Sequence, residues 1–83
     1  MRMTPKNPMW SEFVKRLEGP EGVNFRRDPK DGDVMWDCYH NFRNSAAVLA
    51  RMGLAAEDIE ATFEFFTHHG AFCDCEVLLN LTE

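Results

Sequence analysis

Apolar residues in the first quarter of this chain follow a helical spacing. Five of them recur at i, i+1, i+4, i+5 and i+8, which places them on one side of a helix. Asn7 is a favourable N-cap, Pro8 suits the first helical position, and Gly19 followed by Pro20 ends the segment. We therefore predict an N-terminal helix between Pro8 and Gly19. Its apolar side consists of Met9, Trp10, Phe13, Val14 and Leu17.

The next segment reads as two short strands. Residues 19–33 are rich in Gly, Pro, Asp and Asn, and they are interrupted by the apolar group Val23-Asn24-Phe25. A second apolar group, Val34-Met35-Trp36, follows directly. Since clusters of turn residues flanked by β-forming residues are typical of hairpins, we predict a β-hairpin around a turn at residues 28–33.

A helical period returns twice in the second half of the chain. Apolar residues spaced by four and three residues run from His40 to Met52 and end at Gly53, and a second series ends at Gly70. The link between the two segments is very short, so we predict an antiparallel helical hairpin. Its apolar positions are Phe42, Ala46, Leu49 and Met52 in the first helix and Ile59, Phe63 and Phe66 in the second.

The last segment allows two interpretations. Val77, Leu79 and Leu81 alternate as in a strand, whereas Asp74 could equally cap a short helix. We favour a short C-terminal strand over residues 76–82. The predicted fold is then α+β, with an N-terminal helix, a short β-hairpin, an antiparallel helical hairpin and a short C-terminal strand in a single small domain covering residues 1–83.

Composition and charge narrow the range of functions. The 83 residues carry a formal charge of −5. Because affinity for a phosphate backbone depends on Lys and Arg, this balance argues against nucleic acid and against acidic membrane surfaces as partners. The N-terminus lacks the apolar run of a secretory signal, and no stretch approaches a membrane span of about 20 residues. We therefore expect a cytoplasmic protein.

Three cysteines and one histidine form two closely spaced pairs. Cys38 and His40 stand directly before the first helix of the predicted hairpin, and Cys73 and Cys75 stand directly after the second. Antiparallel helices joined by a short link bring these two ends together. The four side chains would then form a Cys₃His site, a composition known for structural zinc. A site closed by four protein ligands leaves no position for water, so it stabilises structure and does not catalyse.

Other interpretations of the same residues remain open. Cysteine is among the most buried residue types, so burial in the core would explain the three thiols without a metal. His68 or His69 could replace His40 as the fourth ligand, although both also suit the last turn of a helix. A redox role is disfavoured, because Asp74 and Glu76 beside the thiols disfavour thiolates. We find no motif for a catalytic constellation, and the sequence gives no support for an enzyme.

The segment His69-Gly70-Ala71-Phe72-Cys73-Asp74-Cys75-Glu76-Val77-Leu78-Leu79-Asn80-Leu81 resembles the C-terminal signature of a bacterial family of small proteins. That family is the domain-of-unknown-function family numbered 2695. Its signature has Gly-Gly, an aromatic residue and Cys-Asp-Cys-Glu, after a helix pair whose start carries a cysteine. The chain departs from it at Ala71, where a second glycine is usual. The family has no assigned activity, so the resemblance implies only that the cysteine pair belongs to a recurring motif, which favours the metal hypothesis.

Two classes of function follow from these observations. In the first, a zinc site formed by Cys38, His40, Cys73 and Cys75 stabilises a small module that binds an unknown protein partner. In the second, the protein binds no metal and acts as a dimeric interaction module. Its contacts would be made by exposed aromatic residues such as Trp36, Tyr39 or Phe65. Thiol redox chemistry or metal sensing is a minor third alternative.

Overall fold

The computed structural model describes residues 2–81, and in this range four helices surround a small core beside a two-stranded hairpin. The helices are α1 (Trp10–Glu18), α2 (Arg43–Arg51), α3 (Ala56–His68) and α4 (Asp74–Asn80), and the strands are β1 (Arg26–Arg27) and β2 (Val34–Met35). The predicted α+β fold class is confirmed. The single domain over residues 1–83 stays a prediction, and residues 1, 82 and 83 lie outside the described residues.

The predicted N-terminal helix is present but begins later than expected. Asn7 does accept a hydrogen bond from Met9 N–H through its side chain at 2.8 Å, and its carbonyl accepts one from Trp10 N–H at 2.9 Å. These contacts form a turn ahead of α1, so the helix starts at Trp10. Phe13 and Leu17 are fully buried, as the apolar spacing indicated, whereas Met9 is exposed.

The hairpin is also present, with its first strand shifted along the chain. Arg26 pairs with Met35 and Arg27 with Val34 in antiparallel register. Val23, which we placed in the first strand, is instead fully buried, and its N–H donates to the Leu17 carbonyl at 2.7 Å. Val23 therefore packs in the core, although the apolar pattern assigned it to the first strand.

The predicted helical hairpin corresponds to α2 and α3, which pack against each other. Gly53 and Gly70 follow the two helices with φ angles of 90° and 84°, which is the left-handed conformation expected of a residue ending a helix. Phe66 of α3 lies at the centre of the core, with ring contacts from α1, from the residue that precedes α2 and from its own helix. The partner rings are those of Trp10, Phe13, Phe42, Phe63 and Phe65.

The C-terminal strand that we favoured is wrong, because the segment forms helix α4. Val77 and Leu78 are both buried and Leu81 packs against the core, whereas Leu79 is exposed. Buried positions at i, i+1 and i+4 define a helical face, and the apparent alternation of the aliphatic residues was compatible with both periods. Residue 82 of the predicted strand lies outside the described residues.

Among residues 2–81, the helices lack the combination of length and apolar character that a membrane crossing requires.

The N-terminal segment is attached to α3 through a hydrogen bond of 2.8 Å from Met3 N–H to the Thr62 hydroxyl, and both residues are buried. The pattern of apolar residues in the sequence does not predict this contact.

Candidate metal centre

The three cysteines come together at the end of the helix pair that the sequence indicated. Cys38 lies in the loop between β2 and α2, Cys73 immediately precedes α4, and Cys75 is the second residue of α4. The Cys75 sulfur lies 3.2 Å from the sulfurs of both Cys38 and Cys73, and the three sulfurs lie within 4.8 Å of one another. The loop before α2 and the segment after α3 therefore meet, as expected for an antiparallel pair.

A buried carboxylate holds the Cys73-Asp74-Cys75 segment in place. Asp74 is fully buried, and its carboxylate accepts hydrogen bonds from Asn44 N–H at 2.8 Å and from Ser45 N–H at 2.9 Å. It also accepts one from the Ser45 hydroxyl at 2.6 Å. These two N–H groups belong to the first turn of α2, which has no side-chain cap from its own N-cap residue. Asp74 belongs to α4, and its carboxylate makes the contact to α2 that an N-cap side chain usually makes within its own helix.

The same turn of α2 also positions the segment that carries Cys38. The Asn44 side-chain amide donates to the Asp37 carbonyl at 2.9 Å. Asp37 N–H in turn donates to the carbonyl of the buried residue Val23. Asp74 N–H completes the arrangement by donating to the Asn41 carbonyl at 2.9 Å. Both halves of the cysteine cluster are therefore attached to one structural element, the N-terminal turn of α2.

The protonation of the thiols depends on burial and on their mutual contacts. Burial raises the pKa of Cys75 to about 12, and the neighbouring sulfurs of Cys38 and Cys73 act in the same direction. Burial likewise raises the pKa of Cys73, although the Glu76 backbone amide opposes it. At Cys38 burial is outweighed, because the backbone amides of Cys75 and His40 and the two other thiols together lower its pKa. Without a cation, the cluster therefore resists carrying three negative charges.

The histidines lie outside this cluster. Among residues 2–81, the group of ligand atoms within 4.8 Å of one another consists of the three cysteine sulfurs. His40 is exposed and has a φ angle of 62°, while His68 is the exposed last residue of α3. The His69 ring packs on Phe65, with ring centroids 4.2 Å apart. The predicted roles of Cys38, Cys73, Cys75 and His40 as metal ligands stay a prediction.

The sequence places two acidic residues beside the cysteines but does not predict the contacts that they make. The sequence predicts Asp74 as a cap for its own helix or as a charge beside the thiols, whereas in the structure its carboxylate caps α2 through Asn44 and Ser45. Glu76 places its Oε1 atom 3.6 Å from the Cys73 sulfur and accepts a hydrogen bond from Phe72 N–H at 3.1 Å. The signal for Glu76 in the sequence is the alternation of cysteines and acids in residues 73–76, which predicts that thiolates are disfavoured there.

The arrangement of the sulfurs is compatible with one metal ion. A tetrahedral site with zinc–sulfur bonds of about 2.3 Å has sulfur–sulfur edges of about 3.8 Å. The two distances of 3.2 Å are shorter than that edge by about 0.6 Å, so the sulfurs must move slightly apart to hold an ion. They far exceed a disulfide bond of about 2 Å. The cysteines are free thiols. A cation between them would compensate the charge that three thiolates carry.

The fold and the site define a small α+β protein with a three-cysteine cluster compatible with a metal site. A comparison with family models assigns residues 30–80, more than half of the chain, to the family described as protein of unknown function (DUF2695). The chain therefore belongs to DUF2695, and the resemblance seen in the sequence is confirmed at the level of the family. No curated protein and no solved structure matches the chain. The family description assigns no activity.

Proposed function

We propose that this protein is a zinc-binding interaction module in which one Zn²⁺ joins Cys38 to Cys73 and Cys75. The observation that carries the proposal is the gathering of three sulfurs from segments that lie 37 residues apart in sequence. Zn²⁺ is borderline soft and binds thiolates in tetrahedral sites, which suits a sulfur-rich set of ligands. His40 is the fourth ligand that the sequence predicts.

The role of such a metal would be structural. The site connects the loop after β2 to the start of α4, and these segments otherwise meet through hydrogen bonds to the first turn of α2. A chain of 83 residues buries a small core, so a metal crosslink is a large addition to its stability. Since the unfolded chain lacks a formed site, the free energy of metal binding contributes directly to folding.

The interaction part of the proposal rests on exposed aromatic residues beside the site. Trp36 is 47% exposed and Tyr39 is 53% exposed, and both lie within three residues of Cys38. Trp36 packs against Phe25, with ring centroids 5.6 Å apart, and the Arg43 guanidinium lies over the Tyr39 ring at 4.7 Å. Aromatic residues and Arg dominate binding energy in protein interfaces, so we propose a protein partner for this surface. The formal charge of −5 disfavours nucleic acid and acidic membranes.

The first test is a metal and thiol assay on untagged protein purified without chelator. We expect about one zinc per chain by elemental analysis and three thiols that react with a thiol reagent only after a zinc chelator is added. A metal-free protein whose thiols react freely would refute the proposal.

The variant Cys75→Ser provides the second test. It removes the sulfur that lies nearest to the other two, so we expect the zinc-loaded variant to be less stable than the native protein by several kcal/mol. The matched control is the same pair of proteins in excess chelator. There the difference should shrink to about 1–2 kcal/mol, because only the packing of one thiol is then lost. An unchanged difference in chelator would mean that the thiols act as core residues.

A metal-free dimeric module is the second candidate function. The exposed Phe25–Trp36 pair favours it, because apolar side chains beside a two-stranded sheet provide a surface for a second copy. Phe65, the third aromatic residue considered from the sequence, is partly buried in the Phe66 cluster and is a poor contact residue. Light scattering over a concentration series, with Trp36→Ala as the variant, tests this candidate. A monomer at every concentration would exclude it.

A further inference from the structure

A structural zinc site needs a fourth protein ligand, and the structure contains a carboxylate close to the three sulfurs. Glu76 is the third residue of α4, so it follows Cys75 directly and lies one helical turn after Cys73. Its Oε1 atom is 3.6 Å from the Cys73 sulfur. Glutamate oxygen is an established zinc ligand, with bonds of about 2.0–2.2 Å. We propose that the Glu76 carboxylate is the fourth ligand, in a Cys₃Glu site; the inference rests on the proposed function.

The observed distance agrees with the edge of such a site. In a tetrahedron with a zinc–sulfur bond of about 2.3 Å and a zinc–oxygen bond of about 2.1 Å, sulfur and oxygen lie about 3.6 Å apart. The Cys73 sulfur and the Glu76 oxygen are already separated by 3.6 Å. The present separation of these two atoms therefore suits binding to a single ion.

One adjustment of the side chain is required. Glu76 is not part of the group whose ligand atoms all lie within 4.8 Å of one another, so its carboxylate must turn towards Cys38 and Cys75. The side chain has three rotatable bonds and is half-buried, and its present hydrogen-bond partner is Phe72 N–H at 3.1 Å. Phe72 is exposed, so water can replace the carboxylate at that N–H group. The rotation therefore leaves no buried donor without a partner.

The competing ligand is His40, which the sequence predicts. Its backbone amide favours the thiolate of Cys38, and its φ angle of 62° is a left-handed conformation in the loop before α2. Its side chain is exposed and, like that of Glu76, lies outside the group of gathered ligand atoms. The observed contact with a cysteine sulfur is made by Glu76, which is why the geometry favours the carboxylate.

Two matched variants separate a ligand from a structural residue. Glu76→Gln keeps an oxygen that can accept the hydrogen bond from Phe72 N–H, but it removes the charged donor to the metal. His40→Asn removes the imidazole and places a residue that tolerates the left-handed conformation. Zinc affinity is measured on the full chain by competition with a chelating dye. Cobalt(II) is then bound in place of zinc, and its visible bands report the ligand set.

We expect Glu76→Gln to weaken zinc binding about 100-fold or more and to change the cobalt d–d bands, while His40→Asn changes neither. A Glu76→Gln protein with native zinc affinity would overturn the inference and leave the proposed function intact, because Glu76 would then only cap Phe72 N–H. Loss of affinity in His40→Asn alone would overturn it in favour of the imidazole. A native protein that binds no zinc would overturn the proposed function and the inference together.

Discussion

Replacing Asp74 tests whether the first turn of α2 depends on a carboxylate from α4. The side chain is fully buried and accepts three hydrogen bonds, two from the backbone N–H groups of Asn44 and Ser45 and one from the Ser45 hydroxyl. Asp74→Ala leaves these donors without their partner inside the protein. Each unsatisfied buried donor costs about 1–3 kcal/mol. Since the Ser45 hydroxyl can rotate to another acceptor, we expect a total loss of about 3–5 kcal/mol.

That loss is large compared with the stability of so small a protein. At about 0.05–0.15 kcal/mol per residue, a chain of 83 residues has a free energy of unfolding of about 4–12 kcal/mol. Asp74→Asn is the milder change because it preserves the shape of the side chain. If its oxygen keeps the two contacts to Ser45, its NH₂ group must face Asn44 N–H, and two donors then oppose each other. We expect this variant to lose about 1–3 kcal/mol.

The assay is urea unfolding of the reduced, metal-free proteins in the presence of chelator, followed by circular dichroism. Asp33→Asn is the matched control, because Asp33 is exposed in the hairpin turn and its replacement should change stability by less than about 0.5 kcal/mol. Amide exchange should also become faster at the first turn of α2 in both Asp74 variants. An Asp74→Asn protein as stable as the native one, with unchanged exchange at Asn44 and Ser45, would refute this account of the cap.

Three other predictions concern the metal-free protein, the core and one tight turn. Because burial raises the pKa of Cys75 to about 12 from an ordinary value of 9.0, the folded chain retains a proton that the unfolded chain loses. The contribution of the Cys75 thiol to the free energy of unfolding is therefore full below about pH 9 and is lost as the pH rises towards about 12. Urea unfolding at several pH values measures this loss. Phe66→Ala removes a fully buried ring and should cost about 3–5 kcal/mol in the same assay; a loss below about 1 kcal/mol would contradict the central position of Phe66. Gly22→Ala should be strongly destabilising, because its Cβ would clash with the Leu17 carbonyl oxygen. Gly32→Ala meets no atom within 4 Å and should cost about 1 kcal/mol for its left-handed φ alone. Equal melting temperatures of the two glycine variants would contradict this difference.

The amino-acid sequence was sufficient to predict α1, α2 and α3, the presence of a hairpin and the convergence of the cysteines. Local information was sufficient there, because the apolar spacing of residues such as Phe13 and Leu17 indicates one buried helical face. Gly53 and Gly70 mark the ends of the two central helices, and both have the left-handed φ that favours glycine. The short link between the helices then required the segments around Cys38 and Cys73 to meet.

Where the local signal was ambiguous or absent, the packing of the elements on one another determined the structure. The aliphatic residues near the C-terminus fit a strand and a helix equally, and the burial of Val77 and Leu78 against the core selected the helix. The role of Asp74 depends on a partner about 30 residues away in sequence, which no spacing rule reports. The position of Glu76 beside the Cys73 sulfur likewise became evident only once α4 was known to be a helix. Periodicity reports which side of an element is apolar, whereas the packing of one element on another decides which polar groups meet.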